Sequence, residues 1–198
     1  MEDKRIRKTK RNLKNTLIQM LSEQSLEKVS VTELCRRAET SRITFYAHYN
    51  DKYALVDEIF QDMLETGTKD YRRRQRENNP GNDFVLGYAN MLDSILAIYY
   101  DRFEFFRHTD PGKNPYLAFA FYNIVLDTVE LHTNRVRRGE LKLKYSARQI
   151  AGFVCFGLFG FINECHVEKT PLETIKEDCR ILLTDILESD VVVQRTKS

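Results

Sequence analysis

Glycine and proline are scarce, eight and four in 198 residues. Apolar residues at helical spacing therefore run on almost without interruption, and an all-α fold follows. No glycine-rich phosphate loop, no HExxH and no nucleophile with a recognisable base and orienter stands in the chain, which argues against an enzyme. Histidine is sparse as well, and His108, His132 and His166 lack metal-ligand spacing, so neither a metal nor any other cofactor is expected. The four cysteines, Cys35, Cys155, Cys165 and Cys179, form no CxxC pair. Each sits in an apolar helical pattern and reads as a reduced, buried thiol. No signal peptide precedes the charged start, and the longest apolar run, 150–162, is short for a bilayer and broken by three glycines. A cytoplasmic protein without a membrane partner is the expectation.

Charge is present in quantity but unevenly placed. Residues 1–52 hold twelve Lys/Arg against seven Asp/Glu in a chain of net charge +2, so a basic head precedes a mildly acidic body. That asymmetry suits nucleic-acid contact or merely a solvated basic tail. With 42% apolar residues the chain can build a packed core. The spacing predicts a first helix over 7–24 with Leu13, Leu17, Met20 and Leu21 on one face. A capping box, Ser30-Val-Thr-Glu33, opens a short helix over 31–38, and Ser41 caps another that reaches Tyr49. Asn50 or Asp51 caps a longer helix that fades into the charged run 72–77. Asn78-Asn-Pro-Gly-Asn82 is a linker. Beyond it helices are predicted at 83–100, 102–108, 115–134, 146–167 and 171–188, with a charged connection at 135–145 and a tail from Ser189.

Two short helices joined by three residues match the helix-turn-helix, whose second helix presents N-terminal side chains to base edges in the major groove. Residues 41–52 read SRITFYAHYNDK. Phe45 and Tyr49 lie four apart and share a face; turning that face to the core points Ile43, Thr44 and Ala47 outward at 100° per residue, with Tyr46 and His48 on the flanks. Ile43 then suits a thymine methyl, Thr44 a base edge, and Tyr46, His48 and Lys52 phosphate oxygens. Taken singly, Tyr46 and His48 also fit a core. The basic cluster over 4–14 suits either a solubilising tail or phosphate and minor-groove contacts.

The segment Val31-Thr-Glu-Leu-Cys-Arg-Arg-Ala38, the turn, and Thr44-Phe-Tyr-Ala-His-Tyr-Asn-Asp-Lys52-Tyr-Ala-Leu55 resemble the DNA-binding signature of TetR-type transcriptional regulators. The resemblance covers about 10–60. It implies a dimeric, all-helical protein with a three-helix DNA-binding head and a helical C-terminal domain that binds an effector and dimerises through its last two long helices. Thr44, Tyr46, His48 and Lys52 match the family's DNA-contact positions, and Arg42 joins them; with Thr32, Ile43 and Ala47 they make the candidate DNA-binding set. Two residues depart from the pattern. Glu39 stands where a turn glycine is usual, and there it must take a left-handed conformation; Ile43 stands where a small residue is common. Domains over 1–52 and 53–198 are expected.

Residues 84–161 hold sixteen of the 22 aromatic side chains. That density suits an apolar cavity or a plain core equally, and only the resemblance favours the cavity. Candidate pocket residues are Tyr88, Met91, Phe103, Phe106, His108, Tyr116, Phe119, Tyr122, Asn123 and Phe156; His132 and Asn163 are further polar candidates. Helix 146–167 carries Gly152, Gly157 and Gly160 among aromatic and aliphatic residues, so it needs cover on nearly every side. A second copy using 146–167 and 171–188 supplies that cover as a four-helix interface, and burial within one chain is the alternative. The function expected is a homodimeric regulator, a repressor by the family's usual mode, that binds a palindromic double-stranded DNA operator and answers a small apolar or aromatic effector. An activator, a coactivator or a helical protein-interaction module of the same fold is the alternative.

Overall fold

The computed structural model describes residues 4–106, 114–136, 142–189 and 193–194. Their order is α1 (Lys4–Glu23), a 3-10 turn (Leu26–Lys28), α2 (Val31–Arg37), α3 (Arg42–Tyr46), α4 (Lys52–Asn78), α5 (Phe84–Asp101), α6 (Phe103–Phe106), α7 (Pro115–Val136), α8 (Ala147–Val167) and α9 (Leu172–Glu188). The all-α reading holds. One pairing was not anticipated: two-residue strands β1 (Lys142–Leu143) and β2 (Val193–Gln194) run antiparallel, where a charged connection and a tail were expected.

Local chemistry sets most helix ends. Ser30 Oγ accepts from the Glu33 amide at 3.1 Å, but the Glu33 carboxylate turns to Arg36 and Arg37, so the capping box expected there is half formed. The reciprocal box occurs instead at Ser146 and Gln149, opening α8. Asp51 Oδ1 accepts from the Ala54 amide at 2.8 Å and starts α4. α4 runs through the charged stretch to Asn78, because Arg73 and Arg74 pair with acids one turn away along the helix. Glu39 does take a left-handed φ, 51°, closing α2 as a Schellman motif: its amide bonds Arg36 O and the Thr40 amide bonds Cys35 O. Lys169 ends α8 in the same way.

The chain divides into two compact units. One comprises Met1–Thr66 and Tyr99–Phe121, the other Gly67–Ile98 and Tyr122–Ser198, so the boundary expected after residue 52 falls inside the first unit. The first unit packs Leu13, Leu17 and Met20 of α1 with Leu34, Phe45, Leu55 and Phe60, all at most 2% exposed. Phe60 meets Phe105 edge-on at 5.6 Å, so α6 belongs to this core. Lys14 Nζ bridges Glu58 at 2.8 Å and Asp62 at 2.5 Å, fastening α1 to α4.

The second unit is built from the rest of α4, α5, α7, α8 and α9. Gly67 lets α4 and α5 approach closely, since a Cβ there would collide with Ile98 Cδ1. A polar seam joins the same helices. Arg74 bonds Asp70 at 2.7 Å and Asp93 at 3.2 Å, Ser94 bonds Asp70 at 3.0 Å, and the fully buried Asn90 bonds Asn78 and Gln75. Every polar member of this seam has a partner, as burial demands.

Candidate nucleic-acid interface and ligand cavity

The rotation read from SRITFYAHYNDK is the one the fold adopts. Phe45 is 0% and Tyr49 4% exposed, while Ile43 stands 85% and Tyr46 49% exposed. Ser41 caps α3 by accepting from the Thr44 amide at 3.0 Å. The helix proper ends at Tyr46, but Tyr49 N still bonds Phe45 O at 2.9 Å, so the same turn carries Tyr49 into the core. Ala47 is exposed and His48 half-buried.

The eight candidate DNA-binding residues fall into two groups. Thr32, Arg42, Ile43, Tyr46 and Ala47 are exposed. Arg42 lies over the Tyr46 ring at 5.9 Å, which holds a cation beside the phenol. Thr44, His48 and Lys52 are partly engaged within the protein. The Thr44 hydroxyl bonds Ser41 Oγ at 2.8 Å, and His48 lies edge-on to Tyr49 at 6.5 Å. Lys52 Nζ donates to the carbonyls of Glu27 and Val29, each at 2.9 Å, which commits two of its three protons to the 3-10 turn.

The basic cluster of α1 divides as well. Lys10 and Lys14 pair with Glu58 rather than facing outward; burial alone would lower the Lys14 ammonium, yet the hydrogen bonds to Asp62 and Glu58 raise it. Lys4, Arg5, Arg7, Lys8 and Arg11 are exposed. Beside α2, Arg36 and Arg37 share Glu33, whose carboxyl is held at about 2 by hydrogen bonds from first Arg36 and then Arg37. The Glu39 carboxylate is exposed at the turn itself.

The second unit holds a cavity of about 60 Å³ between α5, α7, α8 and α9. Of the ten residues expected to line a pocket, Tyr88 and Met91 line it. Phe103, Phe106, Tyr116 and Phe119 belong to the first unit: Phe106 stacks on Tyr99 at 5.2 Å, Tyr116 donates to Asp57 at 3.1 Å, and Phe119 is 56% exposed. Tyr122 and Phe156 face each other at 4.3 Å, Asn123 is exposed, and His108 lies outside the described residues. His132 meets the Tyr71 hydroxyl at 3.1 Å rather than the cavity, and Asn163 is exposed on α8. The wall is mostly aliphatic, with Leu92 and Ile95 of α5 and Val154 and Leu158 of α8. These repeat at the spacing of any helical core, so composition did not single them out.

Among the described residues, one face of α8 is left bare. Phe153 is 66% and Phe156 55% exposed, nothing lies within 4 Å of a Cβ built on Gly157 or Gly160, and Ile181 of α9 is 52% exposed. The whole helix Ala147–Val167 is also long and apolar enough to cross a membrane, a length the run 150–162 alone did not reach.

Comparison with known proteins agrees with the head and with the fold. Residues 16–59 match the family described as bacterial regulatory proteins, tetR family. An uncharacterized HTH-type transcriptional regulator of Bacillus subtilis, YxbF, is 26% identical over 53 residues, a match taking in 27% of this chain and 14% of that protein. A solved structure from Syntrophomonas wolfei, described as a TetR-family transcriptional regulator, superposes with a TM-score of 0.76 at 11% identity, covering 95% of this chain and 99% of that one. GusR of Salmonella enterica does so with 0.59 at 18% identity, covering 91% and 96%. Residues 16–59, with Phe45 and Tyr49 inward and Ile43 bare, are thus similar to bacterial regulatory proteins of the tetR family, and the chain as a whole shares the fold of the two solved structures.

Proposed function

We propose that the protein is a transcriptional regulator that binds a twofold-symmetric operator as a homodimer, acts as a repressor, and loses or gains DNA affinity when a small apolar molecule occupies the cavity of the second unit. The observation that carries this reading is the exposure pattern of residues 42–49: Phe45 and Tyr49 are buried, while Ile43 stands 85% and Tyr46 49% exposed beside exposed Arg42, an apolar, a phenolic and a cationic group of the kinds that meet base edges and phosphates. Exposed Thr32, Arg42, Ile43, Tyr46 and Ala47 form the base-facing and phosphate-facing surface, with Thr44, His48 and Lys52 at its edge. The second copy covers the bare face of α8 and α9, which accounts for exposed Phe153 and Ile181 without a membrane and keeps the protein in the cytoplasm. α4 begins at Lys52 beside the head and continues to Asn78, so it is the lever through which a ligand favours one spacing of the two heads over another.

The test is to capture fragments of the source genome on the purified protein and elute them with rising salt. Recovery of a small set of related, twofold-symmetric sites, released as salt rises, is the expected result. Retention of no fragment at any salt would replace this reading with that of a helical protein-interaction module, for which the exposed Glu39 carboxylate is the structural argument.

A further inference from the structure

The cavity of the second unit has one polar feature, and that feature has a direction. Thr133 Oγ1 donates to the Val129 carbonyl at 2.8 Å. A hydroxyl has a single proton, so in the close hydrogen bond between Tyr88 and Thr133 the tyrosine donates and the threonine accepts. With both protons committed, the pair offers the cavity only oxygen lone pairs. Among the described residues the remaining wall is hydrocarbon apart from the Met91 thioether and the Cys155 thiol, and no Lys, Arg, His, Asp or Glu contributes to it. A charged ligand would be stripped of water there with no opposite charge to meet it. Burial pushes both the Tyr88 hydroxyl and the Cys155 thiol up to about 12, so neither supplies an anion near neutral pH.

Size narrows the choice further. The cavity measures about 60 Å³, against the ~150 Å³ of a cavity that takes up benzene. Met91 lines the cavity, and its unbranched side chain changes rotamer at little cost, so its displacement is the route by which a single ring would fit. We propose that this cavity binds a compact, neutral, apolar molecule carrying one hydrogen-bond donor, whose proton is accepted by the Tyr88 hydroxyl oxygen. This inference rests on the effector reading and specifies the ligand class for it.

Calorimetric titration of the full chain with phenol, toluene and benzoate at pH 7 tests it. Phenol is expected to bind about fivefold tighter than toluene, the worth of one neutral hydrogen bond, and benzoate not at all. Tyr88→Phe combined with Thr133→Val, which removes both acceptor oxygens, should bring phenol down to the toluene value and leave toluene unchanged, with circular dichroism confirming the fold. Ala151→Leu, or Leu92→Phe where the first variant does not fold, should abolish phenol and toluene binding alike. Benzoate binding as tightly as phenol, or a phenol preference that survives Tyr88→Phe combined with Thr133→Val, would overturn the ligand class while leaving the cavity a binding site. Absence of binding by phenol and toluene together would overturn the ligand class and the effector reading at once, and genome-fragment capture would still report separately on DNA binding.

Discussion

At position 43 a branched hydrocarbon stands almost wholly in water on the side of α3 opposite Phe45. A β-branched side chain in that setting gains nothing until another apolar group covers it, and a thymine methyl in the major groove is such a group. Ile43→Ala should therefore redistribute affinity among operator variants, by roughly 1 kcal/mol at the base pair concerned, as a competition assay on mutated duplexes would show; equal loss on specific and random duplexes would remove its base-reading role. Tyr46→Ala should weaken specific and random duplexes by the same factor and leave the salt slope unchanged, because a neutral phenol releases no counterion. Glu39 carries a different strain. Its φ of 51° costs an L side chain more than a glycine. Glu39→Gly should raise stability by roughly 0.5–1 kcal/mol, the left-handed cost relieved less the added freedom of the unfolded chain. Urea denaturation measures that gain. Duplex affinity should rise with it at low salt and converge on the parent value at high salt, where the removed charge is screened.

Elements are held in place by side chains distant in sequence. The 3-10 turn between α1 and α2 is gripped at both ends: the Leu26 amide donates to Asn114 Oδ1 at 2.7 Å, and Lys52 takes the carbonyls of Glu27 and Val29. Asn114 is 3% exposed, so Asn114→Ala leaves a buried amide without its acceptor. A loss of about 1–3 kcal/mol in unfolding free energy is expected, with duplex affinity at saturating folded protein reporting whether the recognition helix shifts. Along α4 and α5 the polar seam is centred on Asp70. Burial by itself would raise this carboxyl, but hydrogen bonds from Arg74, Arg73 and Ser94 outweigh it and hold the group at about 2. A folded value below the unfolded one means stability that is fully present above about pH 4 and lost as pH falls through the folded value near 2. The thermal midpoint should fall across that window, and Asp70→Asn should flatten the fall while lowering the midpoint at pH 7.

At the scale of the whole molecule, α8 presents an apolar face that no described residue covers. Phe153 and Phe156 of α8 lie bare on the face that carries Gly157 and Gly160, which admit a close neighbour, and Ile181 of α9 is exposed as well. Contiguous apolar surface of this kind marks an interface, and an isologous pair of the same two helices is the arrangement in which each copy covers the other. Phe153→Glu, a change at a side chain 66% exposed and therefore tolerated by the monomer fold, should shift the protein from dimer to monomer in light scattering. Operator affinity should fall steeply with it, because a single head reads only a half-site. An unchanged mass would show that this face is not the contact between copies.

Helix periodicity, the caps at Ser30, Ser41 and Asp51, and the inward pair Phe45 and Tyr49 were all legible in the chain, because each rests on interactions within about four residues. The outward pointing of Ile43 followed from the same local geometry. Other features depended on partners far along the chain. Lys14 and Lys52 carry the same charge whether they face phosphate or protein, and only the position of Glu58 turned Lys14 inward and only the Glu27 and Val29 carbonyls took up two of the Lys52 protons. The aromatic wealth of 84–161 was visible, but which aromatics pack and which line a cavity is set by how helices lie across one another, and ridge-and-groove packing leaves no mark in one helix's own sequence. Sequence alone therefore determined the family-like head and the helical class, through short-range periodicity and capping. Tertiary structure decided the cavity, the direction of the Tyr88–Thr133 hydrogen bond and the bare face of α8, because each is a property of surfaces brought together from separate elements.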